Sequence, residues 1–354
     1  MQKPAVFRYC GAIHIHTNFS DGTEDIDYIS KSAKRAGLDW IIVTDHNVMK
    51  TEEGFINGVC VIRGEEISPH SENHYLALDI NEVIEPCDNP QIYVDKVREL
   101  GGFGFAAHPD EGMTTDNNGN LIPRKNSNHC IPWTNKNVIP DGIEIWNWFS
   151  NWADNYDDTS LIKKAYSFFF KHNIVKSPSP LTLKWWDLIN KNSEEKIIPA
   201  IGGVDAHALK IYGYLVPLTV FPYETCFKTV NNIINLNEPL SNDFKIAKQQ
   251  ILSAVKQGNN IIINKNISKD IPEIFISNSK NIAYCGESIT PDENTNLNIK
   301  LNKTANIKII LNGKEILKTK TKNCTIPIKE IGKYRAEISY NQKGFAYTNP
   351  IVVK

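Results

Sequence analysis

Gly11-Ala-Ile-His-Ile-His16, Ser20-Asp-Gly22 and Thr44-Asp-His-Asn47 fall within one stretch of fewer than forty residues, and the rest of the chain is read outward from it. The first segment alternates small or apolar residues with histidines, the pattern by which a β-strand sets His14 and His16 on one face. Asp21 follows after a short loop, and Gly22 permits the tight turn that would return its carboxylate toward the imidazoles. A helix is expected from Thr23: Thr23 caps it, Glu24 and Asp25 suit its positive end, Ile26, Ile29, Ala33 and Ala36 line one face, and Gly37 stops it. Leu38-Asp-Trp-Ile-Ile-Val-Thr44 then reads as a buried parallel strand ending at Asp45 and His46. The result is a βαβ unit with its candidate ligands at the C-terminal ends of strands, where α/β folds place their chemistry. A lone His-x-His is weak evidence; Asp21 and Asp45-His46 in the same unit make a metal site the better reading than separate loop histidines.

At 354 residues and 41% hydrophobic content, the chain is long enough for one large α/β domain and a smaller one. A formal net charge of −1 gives no basic field, which disfavours long DNA or RNA as a partner and leaves a nucleotide open. The sequence shows no signal-peptide core and no apolar run of spanning length, so no membrane partner and a cytoplasmic location are expected. Seven cysteines without a Cys-x-x-Cys pair fit reduced thiols.

Further strands are expected over Gly58–Gly64, leading to Glu65 and Glu66, either of which could ligate; from His74 onward; and over Gly102–Ala107, closing at His108. A helix between them has Asn89 as cap and Pro90 at its first position. Residues 110–140 form a polar loop too long for a routine connection. Gly142-Ile-Glu-Ile-Trp-Asn147 resumes strand character and exposes Glu144 and Asn147 as candidates to support the ligands or touch substrate. Residues 148–195 are helical and rich in rings: Trp148, Trp152, Tyr156, Tyr166, Phe168, Phe169, Phe170, Trp185 and Trp186. They form either helix core or a pocket wall that stacks a base or an aromatic leaving group. A strand ending at Asp205 and His207 follows, then helices near 223–235 and 241–257, then a last strand of the first domain at Ile261–Asn264. Beyond about residue 268, short strands with an Asn312-Gly313 hairpin signal argue for a small β-sandwich, structural or a site of self-association.

The strand-end candidates are His14, His16, Asp21, His46, Glu66, His74, His108, Asp205 and His207. They use six of the protein's nine histidines, and core packing gives no reason for histidines to recur at strand ends. Imidazoles and carboxylates without thiolates suit Zn, Mn or Fe, and this many donors exceed what one ion takes, which implies two or three divalent metal ions. Such a cluster can generate hydroxide at neutral pH and clamp phosphate oxygens. Arg124, Lys184 and Lys210 are candidate further clamps, each better explained as a solvated surface charge.

In this order, His-x-His, Ser-Asp-Gly, Thr-Asp-His-Asn, Gly-x-Glu-Ile-Ser, the histidine opening the next strand, Ala-His-Pro and Val-Asp-Ala-His resemble the PHP family, named for polymerase and histidinol phosphatase domains. The resemblance runs over roughly 10 to 265. It implies an α/β fold, a distorted (β/α)7 TIM-like barrel over 1–267 that carries the helical insertion, followed by the all-β sandwich over 268–354. It also implies a two- or three-metal site and phosphoester hydrolysis. His14, His16, His46, Glu66, His74, His108, Asp205 and His207 would be ligands, with Asp21 filling a ligand position that is His in other branches. Glu66, preferred over Glu65, would bridge two metals, and Glu66, Asp205 and His207 are the candidate catalytic residues. The expected activity is hydrolysis of a small phosphate ester, plausibly a nucleotide, by a metal-activated hydroxide. The alternative is a carbamate or carboxylic ester with an aromatic leaving group, suggested by the Trp-rich insertion and the lack of a phosphate-binding glycine loop.

Overall fold

The first strand, β1 (Phe7–Ile15), has buried neighbours on both edges, and the site is built around its C-terminal end. The computed structural model describes residues 5–116, 121–124, 130–157, 174–194, 196–211 and 218–354. After β1 come α1 (Ile26–Arg35), β2 (Trp40–Val43), β3 (Val59–Arg63), β4 (Glu65–Ile67), β5 (Tyr75–Leu78), α2 (Pro90–Glu99) and β6 (Phe103–Ala106). The elements then continue with β7 (Gly142–Asn147), α3 (Trp148–Asp157), α4 (Pro180–Asn192), β8 (Ala200–Ala206), β9 (Val230–Leu236), α5 (Phe244–Gln257) and β10 (Asn260–Asn264). The longest strands of the C-terminal part are β11 (Asn296–Leu311), β12 (Lys314–Pro327), β13 (Gly332–Tyr340) and β14 (Lys343–Thr348). No helix among the described residues is long and apolar enough to cross a membrane.

The strand pairings return to their start. β1 pairs in parallel with β2, and β2 with β3. Only Gly64 separates β3 from β4, and the ladder continues across it through Gly64 N to Val43 O and Glu66 N to Asp45 O. A side chain at Gly64 would meet Ala77 O and the Leu78 methyl at 2.6 Å, so the close approach needs glycine. β4 pairs with β5 and β5 with β6, both antiparallel; β6–β7, β7–β8 and β8–β1 are parallel. Ile13, Ile42, Ile62, Leu76, Phe105 and Ile201, one from each of six of these strands, share a single fully buried cluster. Burial of this size is the main stabilising term, at about 25 cal/mol per Å² of apolar surface.

The N-terminal half of β1 instead pairs antiparallel with β9, which pairs with β10, which pairs with β14. The fold is therefore mixed α/β, with the C-terminal strands joined by backbone hydrogen bonds to the same large mixed sheet. Residues 230–236 depart from the expected helix: Val230-Asn-Asn-Ile-Ile-Asn-Leu236 is a strand, and only Tyr223–Cys226 is helical. Branched Val and Ile and the local hydrogen bonding of Asn weaken helix here, and two strand neighbours are at hand. β10 pairs with β9 on one side and with β14 on the other.

Two helix ends and the hairpin match expectation, and the cap of α1 differs. α2 is capped by Asn89 with Pro90 in its first turn, and α5 ends at Gly258 with φ of 76°. Asn312 and Gly313, both at positive φ, turn β11 into β12. α1 is capped by Asp25, which accepts from Tyr28 N, rather than by Thr23, whose hydroxyl donates to Ala208 O. No disulfide joins the cysteines among the described residues. Of the aromatic insertion, Tyr166 and Phe168–Phe170 lie outside the described residues, as do the side-chain surroundings of Tyr156.

A buried amide set ties the C-terminal part to β8. Asn349 accepts from Ala200 N at 2.7 Å and donates to Ala200 O at 2.9 Å, while Asn232 exchanges two bonds with Gly202. These side chains satisfy backbone groups that would otherwise be buried without partners. Lys333 reaches the end of α4 and donates to Asn190 O, Ser193 Oγ and Lys196 O at 2.6–2.8 Å.

Candidate metal centre

Regular alternation alone does not place the histidines. His14 has φ of 68°, and the β1–β8 register shifts between Ile13 and Ile15, with an extra residue between Gly203 and Ala206 where Asp205 has φ of 51°. His108 also has a positive φ, and the β7–β8 register shifts between Glu144 and Trp146. Bulges and left-handed non-glycine residues re-aim side chains at a local cost, and they cluster at functional sites. β5 runs antiparallel to its neighbours, so the residue before it, His74, reaches the same end as the residues that follow the parallel strands.

The nine expected residues converge. Glu66 is the hub: Oε2 lies 3.2 Å from His14 Nε2, 3.4 Å from His16 Nε2 and 3.1 Å from His46 Nδ1, while Oε1 lies 2.9 Å from His74 Nδ1 and 3.2 Å from His108 Nε2. Asp205 Oδ1 is 3.3 Å from His16 Nε2 and 3.5 Å from both His14 Nε2 and His207 Nδ1. Asp21 is 3.2 Å from His207 Nε2, 3.6 Å from His16 Nδ1 and 3.7 Å from His46 Nε2. Glu65 points elsewhere, accepting from Ile84 N, and burial pushes its carboxyl up to about 7.

Around these lies a supporting layer. Glu144 Oε1 is 2.8 Å from His14 Nδ1, and its Oε2 accepts from His108 N at 2.7 Å and Asn147 Nδ2 at 3.0 Å. Asn147 also donates to Asp205 at 3.2 Å. Gly203 makes room for this carboxylate, since a Cβ there would lie 1.6 Å from Glu144 Oε1. Asp45 turns away from the cluster and accepts from Thr17 N, Ser20 Oγ and Thr51 Oγ1, fixing the loop that carries Asp21. His46 Nδ1 meets Ser68 Oγ at 2.6 Å. Two residues escaped sequence reasoning: Glu111, 3.0 Å from His108 Nδ1, and Phe149, whose ring centroid is 5.8 Å from that of His207. The spacing of Glu111 three residues past His108 was the available signal for the first. Trp148, Trp152 and Trp186 are buried core residues. Arg124 lies 3.6 Å from Asp154, Lys210 pairs with Glu24 at 2.9 Å, and Lys184 is exposed on α4.

Charge in the cluster is strongly shaped by its neighbours. Burial works against ionisation of Glu66 and Asp205, yet the surrounding imidazoles hold both well below the usual carboxylate range. Burial and the adjacent His207 push His16 down to about 4, so it stays neutral with a free lone pair. His207, stacked on His16 at 4.1 Å, is also opposed by burial but is raised to about 9 by Asp21 and Asp205.

His16 tests whether a metal fits. It is fully buried, and neither ring nitrogen makes a well-formed hydrogen bond among the described residues, with carboxylate oxygens of Asp205 and Glu66 standing 3.3 and 3.4 Å from Nε2. A buried imidazole without partners is costly unless another group takes its lone pair. Four overlapping sets have donor atoms within 4.8 Å of one another: His16, Asp21, His46 and His207; His14, His16 and Asp205; His14, Glu66 and His108; and His46, Glu66 and His74. These residues fit more than one ion, and each ring's second nitrogen is held by a carboxylate, hydroxyl or carbonyl in the manner of metal-binding histidines for His14, His46, His74 and His207.

A segment of 115 residues is 33% identical to an uncharacterized protein of Methanocaldococcus jannaschii, covering 27% of this chain and 66% of that protein, just under two thirds of its length. A solved two-domain protein of Bacteroides vulgatus, described as containing a predicted PHP-like metal-dependent phosphoesterase, aligns over 99% of this chain and 98% of its own, with 15% identity and a TM-score of 0.47. PsfC of Pseudomonas syringae aligns over 70% of this chain and 89% of its own, with 12% identity and a TM-score of 0.38. Residues 12–113 match the PHP domain family model.

Proposed function

We propose that the protein is a metal-dependent phosphoesterase acting on a small phosphate ester, with nucleotides among the candidate substrates. The observation that carries this is the fully buried His16, neither ring nitrogen in a well-formed hydrogen bond, a donor common to two of four overlapping sets drawn from six histidines and three carboxylates. The PHP domain match over residues 12–113 spans every residue of the last two of those sets and supports it. The donor chemistry suits two or three Zn, Mn or Fe ions. Ions held there would supply a water acidic enough to ionise near neutral pH and positive charge opposite the phosphate oxygens.

The chain's own residues divide the remaining work. Glu66, shared between two sets, and Asp205, which belongs to one, are the anionic floor. Asp21 and His46, with side chains 54% and 28% exposed, mark the open side, and His207 lies next to Asp21 where substrate enters. Glu144 and Asn147 fix His14 and Asp205 from behind. In this reading the closed circuit of strand pairings is a distorted seven-stranded barrel with β3 and β4 as one strand. Residues beyond about 267 form a second unit available for self-association, and the enzyme works in the cytoplasm.

Turnover of 4-nitrophenyl phosphate with added Mn or Zn, compared between the wild type and His16→Ala, tests the proposal. It predicts metal-dependent turnover that the substitution abolishes. Equal turnover in the variant contradicts it, and hydrolysis of aryl esters or carbamates without hydrolysis of phosphates transfers the site to the ester alternative.

A further inference from the structure

Phe149 opens α3 two residues beyond Asn147, whose amide holds both Glu144 and Asp205. Its ring centroid lies 5.8 Å from His207, 6.0 Å from Phe221 and 6.2 Å from Trp152. The two aromatic neighbours meet each other edge to face at 4.5 Å, and Trp148 meets Phe221 at 5.2 Å. Trp148, Trp152 and Phe221 are all buried, whereas Phe149 is only half-buried. A ring that merely filled the core would be covered as these three are.

The ring lies beside His207, the imidazole nearest to exposed Asp21 at the open side of the cluster. Phe221, which backs it, is held at φ of 53°, an unfavourable conformation for a bulky side chain. The fold thus accepts backbone strain to keep a rigid aromatic layer behind Phe149. Aromatic faces select planar groups, because offset stacking adds to simple burial.

We propose that Phe149 is a substrate-contacting residue that sets specificity: its ring takes a planar group attached to the phosphate, so the site prefers ring-bearing phosphate esters to small alkyl ones. This rests on the phosphoester reading above and adds to it the class of the leaving group. A stacking contact of this kind corresponds to a preference of roughly 2- to 12-fold.

The test is equilibrium binding of phenylphosphonate and methylphosphonate, neither of which can be hydrolysed at phosphorus, to the full chain loaded with Mn or Zn. Wild type, Phe149→Tyr, Phe149→Leu and Phe149→Ala are compared, with thermal melts and metal content recorded for each. Wild type and Phe149→Tyr should favour phenylphosphonate, and Phe149→Ala and Phe149→Leu should lose that preference while binding methylphosphonate as before. If Phe149→Ala does not fold, Phe149→Leu, which fills the wall without a ring, makes the same comparison. Equal affinity of the wild type for the two ligands, or a preference that survives in Phe149→Leu, overturns the inference and leaves the phosphoester reading standing. Failure to bind either phosphonate overturns that reading and the inference with it.

Discussion

Replacing Glu144 by Gln changes one atom, and its consequence can be followed through the site. Glu144 Oε2 accepts from two donors, His108 N at 2.7 Å and Asn147 Nδ2 at 3.0 Å, while Oε1 faces His14 Nδ1 at 2.8 Å. Gln has a single acceptor oxygen, which must take the place facing two donors; the amide N–H groups then face His14 Nδ1. That nitrogen has to become the acceptor, so the ring proton moves to Nε2, the atom that points at Glu66 and Asp205. A protonated Nε2 cannot bind a metal. Loss of such a supporting partner typically lowers metal affinity about 10- to 100-fold, or roughly 1.4–2.7 kcal/mol. Competition against a chromogenic chelator measures the dissociation constant, and circular dichroism checks that the near-isosteric variant keeps its fold. Wild-type affinity in folded Glu144→Gln would refute the tautomer argument.

Three further outcomes follow from contacts outside the cluster. Asn349→Ala strips Ala200 N and O of side-chain partners in a fully buried setting, and urea unfolding should show a loss of about 2–4 kcal/mol; a loss below about 0.5 kcal/mol would mean the amide set is dispensable. Lys333→Met removes three bonds at the end of α4 and should cost about 2–4 kcal/mol in the same assay, with no change in metal affinity. Lys136 stands over the Trp185 ring at 3.7 Å, and burial pushes its amine down to about 8. Because the unfolded chain holds that proton up to about 10.5, the penalty is present in full below pH 8 and is relieved as pH rises from 8 to 10.5. Lys136→Met should therefore gain stability relative to wild type most at pH 7 and least at pH 10.5; a gap independent of pH would contradict this.

Much of the site was legible because its residues sit at strand ends a few positions from motif glycines and prolines, where spacing alone limits which face they reach. The choice between Glu65 and Glu66 was not among these: spacing left either open and the family resemblance favoured Glu66, and in the structure adjacent residues in β4 point to opposite faces, so that only Glu66 reaches the histidines. What sequence pattern missed depends on irregular backbone or on distant partners. The left-handed φ at His14, His108 and Asp205 has no composition signal, because it is imposed by neighbouring strands. Val230–Leu236 was misread as helix since the antiparallel partners that stabilise it, in β1 and β10, lie far away in sequence. Phe149 was passed over among neighbouring tryptophans, because burial, which separates core rings from an exposed wall, is a property of the folded chain.

Elemental analysis of the purified full chain, replete with Zn, Mn and Fe, tests most directly whether the nine converging side chains are a metal centre. The account predicts about two to three ions per chain in the wild type and a clear loss in His16→Ala, a variant that removes a donor common to two of the four sets. Less than one ion per chain under replete conditions, or the same content in folded His16→Ala, would contradict it.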